Sequence, residues 1–415
     1  LRRSRSGDWI PKDTLATANL FAGASWFVML WLALRGAEPG SLASLGWVHI
    51  VALGWLTLAA LSVLLHVIAA FLGVEWFGEG VARWALRIFA LGVALLVAGF
   101  LLEDRAQIEG AAMLTFVALC AYLTPTTITI GRALRGERRE RMVARAFLIT
   151  LAFLLVTGAL GAAFGLALEG RLNPQMLVAL PQAHGVLGIA GWLTSLVFGV
   201  SARTMRAITG VVSRIAVAHV ATSGLLLLGA VLFAIAMVTG APATAGIVLM
   251  ALGALFYAVD LIDIVSRRQH PNPVPQMFVV MADVWLVACV ALGAGVAAGK
   301  PWGAALTYLA LVGWLGQMVN GHIFHIGVRL MITALHGDDD ETRPWVVVNR
   351  PLAMASWLFF QIAIALGAAS LLAGADATLL AVAAGCGIVG WLAMIAAIAL
   401  AYQRIHMTPI DIRAA

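Results

Sequence analysis

"GWVHIVALGWLTLAALSVLLHVIAAFLG", residues 46–73, runs from Gly46 to Gly73 without an Asp, Glu, Lys or Arg. About twenty apolar residues in a helix cross a ~30 Å hydrocarbon core, so this stretch reads as a membrane span that carries two histidines, His49 and His66. Similar runs recur along the chain, of which 62% is hydrophobic and 11% charged. A membrane barrel would instead show short alternating segments.

Twelve spans are expected, near 15–36, 44–73, 80–102, 111–134, 143–169, 177–205, 211–239, 243–266, 276–298, 302–334, 351–373 and 377–403. The linkers between them are too short for a soluble domain. The expected organisation is a cytoplasmic arm at 1–14, one membrane domain at 15–404 and a cytoplasmic tail at 405–415. Basic residues fall on alternate links, densest in "GRALRGERRERMVAR", while "GAEPGS", "EGRLNPQ", "TGAPAT" and "GADAT" carry little positive charge. By the positive-inside rule both termini are expected in the cytoplasm, in a multi-pass protein of the inner membrane. The net charge of +6 follows from that sorting and is no sign of nucleic-acid binding. The opening "LRRSRSGDWIPKD" has no apolar h-region and is not expected to be a signal peptide. Cys120, Cys289 and Cys386 all lie in apolar runs with no metal or disulfide spacing.

One tetrapeptide recurs. "GWLT" begins at Gly54 and Gly191, "GWLG" at Gly313 and "GWLA" at Gly390, in spans 2, 6, 10 and 12. Spans 2, 6 and 10 share a direction and stand four spans apart, which predicts three four-helix arcs in an all-α fold. Gly-Trp-Leu is also a cheap combination in a Gly- and Trp-rich membrane protein, where small residues let helices approach. Twelve residues after the repeat glycine stand His66, Arg203 and His325; five before it stand His49 and Tyr308.

Of nine histidines, His270, His336 and His406 fall in links or the tail, where solvation is expected. His49 and His184 belong to an outer layer; His66, His219, His322 and His325 to an inner one. His49 and His66 are separated by about 25 Å of helix rise, so one cofactor cannot bind both. Intramembrane histidines serve as packing hydrogen bonders, proton relays or ligands. His66 and His325, at equal depth on related helices, are the first candidates for the iron of an inner haem, with His322 or His219 nearby; His49, with His184, is the candidate for an outer haem or metal. Asp260 and Asp283 lie deep in spans 8 and 9, and Gln317 and Asn320 above the span-10 histidines. With Tyr308 and Arg203 they are candidates for a proton path or for holding the ligands in place. Asp263 is expected to pair with Arg267.

With these residues in view, the chain resembles the haem–copper oxidase subunit I superfamily, which includes nitric oxide reductases and cbb3-type oxidases. The stretch at 46–73 resembles that family's second helix. "AHGVLGIAGWLTSLVFGVSARTM" and "GWLGQMVNGHIFHIGVRLMI" are similar to oxidase-like members and, more loosely, to the NnrS type. The departures are specific: His184 is followed four residues later by Gly188 and not Tyr, span 7 has one histidine, and span 10 has His-x-x-His. The resemblance therefore implies haem b, one or two, without a standard copper site. Its implied role is electron transfer, or binding and reduction of a diatomic such as nitric oxide. A quinol or haem-protein donor, surrounding lipid and membership of a larger complex or oligomer come with it; nucleic acid does not. The competing readings are a metal or proton permease and a structural or assembly subunit that has lost its metals.

Overall fold

The structure, a computed structural model, describes residues 11–136, 138–168, 170–171, 176–214, 216–270, 273–337 and 343–407, with backbone only for 138–140, 176–178, 202 and 216–220. Most of the 1–14 arm, the 338–342 part of the acidic link and the end of the tail lie outside the described residues.

Among the described residues, twelve helices are long and apolar enough to cross a membrane: α1 Lys12–Arg35, α2 Leu42–Leu72, α3 Glu79–Leu102, α4 Arg105–Ala133, α5 Arg141–Leu168, α6 Ala179–Ser201, α7 Ala221–Thr239, α8 Thr244–Ser266, α9 Pro273–Ala297, α10 Gly303–His336, α11 Arg350–Leu372 and α12 Ala377–Met407. No strand occurs among the described residues. The expected spans thus stand, with shifted ends. α4 starts six residues earlier than expected because Asp104 caps it, accepting from Gln107 N–H at 3.0 Å. α12 continues into the expected tail. Helical structure also extends α6 to Thr209 and starts α7 at Ala216. Consecutive helices pack on one another, and α12 returns to α1. There Trp391 fills the space a side chain would take at Gly23, and Trp26 does the same at Gly387.

The repeat has a backbone of its own. Ile50–Thr57, Leu187–Thr194 and Leu309–Gly316 each depart from α to π geometry, and each places Gly-Trp-Leu at its fifth to seventh positions. Leu58 N–H reaches back five residues to Leu53, as Ser195 does to Ala190. Around Gly390 the chain is ordinary α-helix, so the fourth Gly-Trp-Leu is composition and not a repeat. The three π segments touch one another pairwise. Each repeat glycine also accepts an aromatic from the helix before it: Phe21 at Gly54, Phe153 at Gly191 and Trp285 at Gly313.

Where the π segments meet, the repeats are linked by side chains. Trp192 Nε1–H donates to Thr57 Oγ1 at 3.1 Å, and Trp314 Nε1–H to Thr194 Oγ1 at 3.2 Å. The third link would run from Trp55 to position 316, but Gly316 has no hydroxyl. Trp55 Nε1 is buried without a partner, and its ring lies where a Gly316 side chain would stand. Trp192→Phe and Trp55→Phe delete the same volume, yet only the first loses a hydrogen bond. Trp192→Phe is therefore expected to be the less stable by about 1 kcal/mol, read from unfolding midpoints in detergent. Equal midpoints would contradict the asymmetry.

Candidate functional site

His49 ends the α-helical start of α2, one residue before the π segment, and its Nδ1–H donates to Leu45 O at 2.8 Å. His184 lies three residues before the π segment of α6, and its Nδ1–H donates across to Thr157 O of α5 at 2.9 Å. Both bonds put the proton on Nδ1 and leave the Nε2 lone pair for a ligand. The rings are half-buried and near-parallel, with centroids 6.1 Å apart at 20°. Phe100 of α3 stacks on His49 at 4.7 Å and 23°. Gly161 of α5 makes room for His184, since a Cβ there would fall 2.9 Å from the His184 Cε1. Two imidazoles bound end-on to one metal, with metal–nitrogen bonds of about 2.0 Å, have centroids about 6 Å apart. The spacing and the tautomers of this pair fit that arrangement. Tyr308, the repeat counterpart of His49, instead stacks on Trp47 at 5.6 Å and donates to Ala363 O at 3.0 Å.

The inner histidines are arranged differently. His66, Arg203 and His325 stand nine residues below the ends of the three π segments, so their equal register is kept. Arg203 lies over the Phe71 ring at 4.4 Å and donates to Phe71 O at 3.3 Å. His322 has both nitrogens engaged: Nδ1–H donates to Met318 O at 2.7 Å, and Nε2 accepts from Thr204 Oγ1 at 2.9 Å. His325 begins the third residue of a further π stretch, Ile323–Gly327, and its buried Nδ1 has no partner. His322, His270 and Arg329 are its charged or titratable neighbours. His270, expected in solvent, is half-buried against Trp345 at 5.6 Å, because the links at this end fold back on the helix ends. The His219 side chain lies outside the described residues.

Asp260 and Asp283 are both buried. Ser213 Oγ–H donates to Asp260 Oδ1 at 2.6 Å, and Tyr257 lies in the field of both carboxylates with its hydroxyl 2.7 Å from Ser201 Oγ. Tyr257 is the acids' central neighbour, and nothing in the sequence singled it out. Asp283 Oδ1 has no partner. Asp263 pairs with Arg267, as the i, i+4 spacing predicts. Gln317 joins an unforeseen chain: Trp285 Nε1–H donates to Gln361 Oε1 at 2.9 Å, and Gln361 Nε2–H donates to Gln317 Oε1 at 2.7 Å. Among the described residues, no three His, Cys, Asp or Glu side chains converge on a metal-sized site. Comparison with family models and with curated proteins returns no match.

Proposed function

We propose that this chain is a haem-binding protein of the cytoplasmic membrane in which His49 and His184 would hold an outer haem b. The 6.1 Å near-parallel imidazole pair, with each Nδ1 tied to a backbone carbonyl, carries this reading. It rests on the spacing of the two rings and on their tautomers, and not on the family resemblance. Such a group, held between two imidazoles, supplies one-electron exchange. The protein's part is to fix both rings through Leu45 and Thr157 and to cover one with Phe100. With both histidines holding it, the group would serve electron transfer and not diatomic binding at this layer. A quinol or a haem protein is the matching class of donor.

His66 and His325 are the second candidate pair, at the inner layer, where His322 is engaged by Thr204. The three π-helical repeats support three four-helix arcs like those of the oxidase superfamily. The basic links support a cytoplasmic location for both termini. The test is the visible spectrum of protein purified from haem-sufficient cells. A Soret band, with sharp α and β bands on dithionite reduction, is expected. A colourless, well-folded preparation would sink the proposal.

A further inference from the structure

One face of α10 carries polar groups that nothing among the described residues satisfies. Gln317 Nε2, both amide atoms of Asn320 and His325 Nδ1 have no hydrogen-bond partner, and neither does Ser356 Oγ of α11. Their residues are 0% exposed for Gln317, Asn320 and Ser356 and 7% for His325. Buried polar atoms are ordinarily paired, with protein or with ordered water. Four unpaired atoms in one short segment of α10, and a fifth on α11, point to water.

The positions form a line. Gln317 and His325 are eight residues apart, about 12 Å along the helix, with Asn320 between them. Gln361 bonds Gln317, and α11 runs opposite to α10 since Tyr308 reaches Ala363. Ser356, about 7.5 Å below Gln361, therefore lies between the depths of Asn320 and His325. The groups mix donors with acceptors: an amide hydrogen of Gln317, both ends of the Asn320 amide, a hydroxyl and an imidazole nitrogen. That set suits water, which gives and takes about three hydrogen bonds when buried. A metal ion or an anion would need charge or a one-sided donor set.

We infer that this face holds a short file of internal water, entered from the His270 end of the bundle. Above Gln317 the file stops, because the Gln361–Trp285 chain occupies the amide oxygen and the π segment Leu309–Gly316 is buried and apolar. Below, His325 faces His322, His270 and Arg329, and His270 is half-exposed. The inference uses neither His49 nor His184 of the outer pair; it shares only His325 with the inner candidate pair.

Hydroxyl-radical footprinting with X-ray pulses tests it, because radicals born from internal water oxidise the nearest side chains however buried they are. Met318 lies beside Gln317 and is 1% exposed; Met29, on α1, is 3% exposed and serves as the dry reference. Met318 is expected to be oxidised about tenfold faster than Met29, and Asn320→Leu to remove most of that difference by displacing the water. The comparison of the two methionines in the unaltered protein does not depend on any variant folding. Oxidation of Met318 no faster than of Met29 would overturn the inference, as would a Met318 rate that survives in a folded Asn320→Leu protein.

Discussion

His184→Ala is expected to abolish the sharp reduced α band of the outer haem, His49→Ala to do the same, and His322→Ala to leave it in place. The contrast comes from the lone pairs. His49 and His184 each spend the Nδ1 proton on a backbone carbonyl and keep Nε2 for a ligand. His322 spends both nitrogens, on Met318 and Thr204. Loss of either imidazole would remove one of the two residues that hold the haem, which would change the spectrum and weaken retention. Added imidazole is expected to restore the band in His184→Ala, because the deleted ring leaves a space of its own shape. Rescue separates a lost ligand from a lost fold. Gly161→Val offers a gentler version: it keeps both histidines but drives a side chain against His184 Cε1. Haem content in that variant is expected to fall by about tenfold, the effect of disturbing the groups that orient a ligand. Unchanged spectra in both His49→Ala and His184→Ala would rule this pair out.

Much of the architecture is legible in the residues. Apolar length alone places all twelve spans, and Gly-Trp-Leu at Gly54, Gly191 and Gly313 marks the repeat. The limits are equally physical. A tetrapeptide reports composition, so Gly390 looks like a fourth copy although its helix is plain α. What distinguishes the true copies is one extra residue per turn, a backbone property with no residue signature. The aromatics that seat on the repeat glycines, Phe21, Phe153 and Trp285, change type between copies and belong to no recurring tetrapeptide. Depth was readable, and it put His49 and His184 in one layer. Their approach to 6.1 Å was not, because it depends on how α2 and α6 rotate about their axes after the π turns. Gln361 escaped notice for a related reason: an amide in a span says nothing of its partner until the facing Gln317 is in place.

The largest stability effect is expected from one methyl group, in Gly246→Ala. A Cβ at Gly246 of α8 would stand 2.6 Å from Phe233 N and 2.8 Å from Gly229 O of α7. Both are backbone atoms, so no side chain can swing away, and the helices must separate along their contact. Gly229 meets the same wall from the other side, with Gly246 O and Met250 N each 2.7 Å from its absent Cβ. In lipid, close packing of this kind is a main source of helix association, since burial from water contributes little between spans. The cost of Gly246→Ala is expected at about 3 kcal/mol, the upper part of the range for overpacking. Gly224→Ala on the same α7 meets nothing within 4 Å and is expected to be neutral or to gain up to about 1 kcal/mol in helix propensity. Unfolding midpoints in detergent separate the two. Coupling adds a sharper check. Once Gly246→Ala has pushed α7 and α8 apart, Gly229→Ala fits in the widened gap, so the double variant is expected to cost less than the sum of the singles. Strict additivity would mean that each methyl is accommodated locally, and that the two glycines do not share one backbone contact.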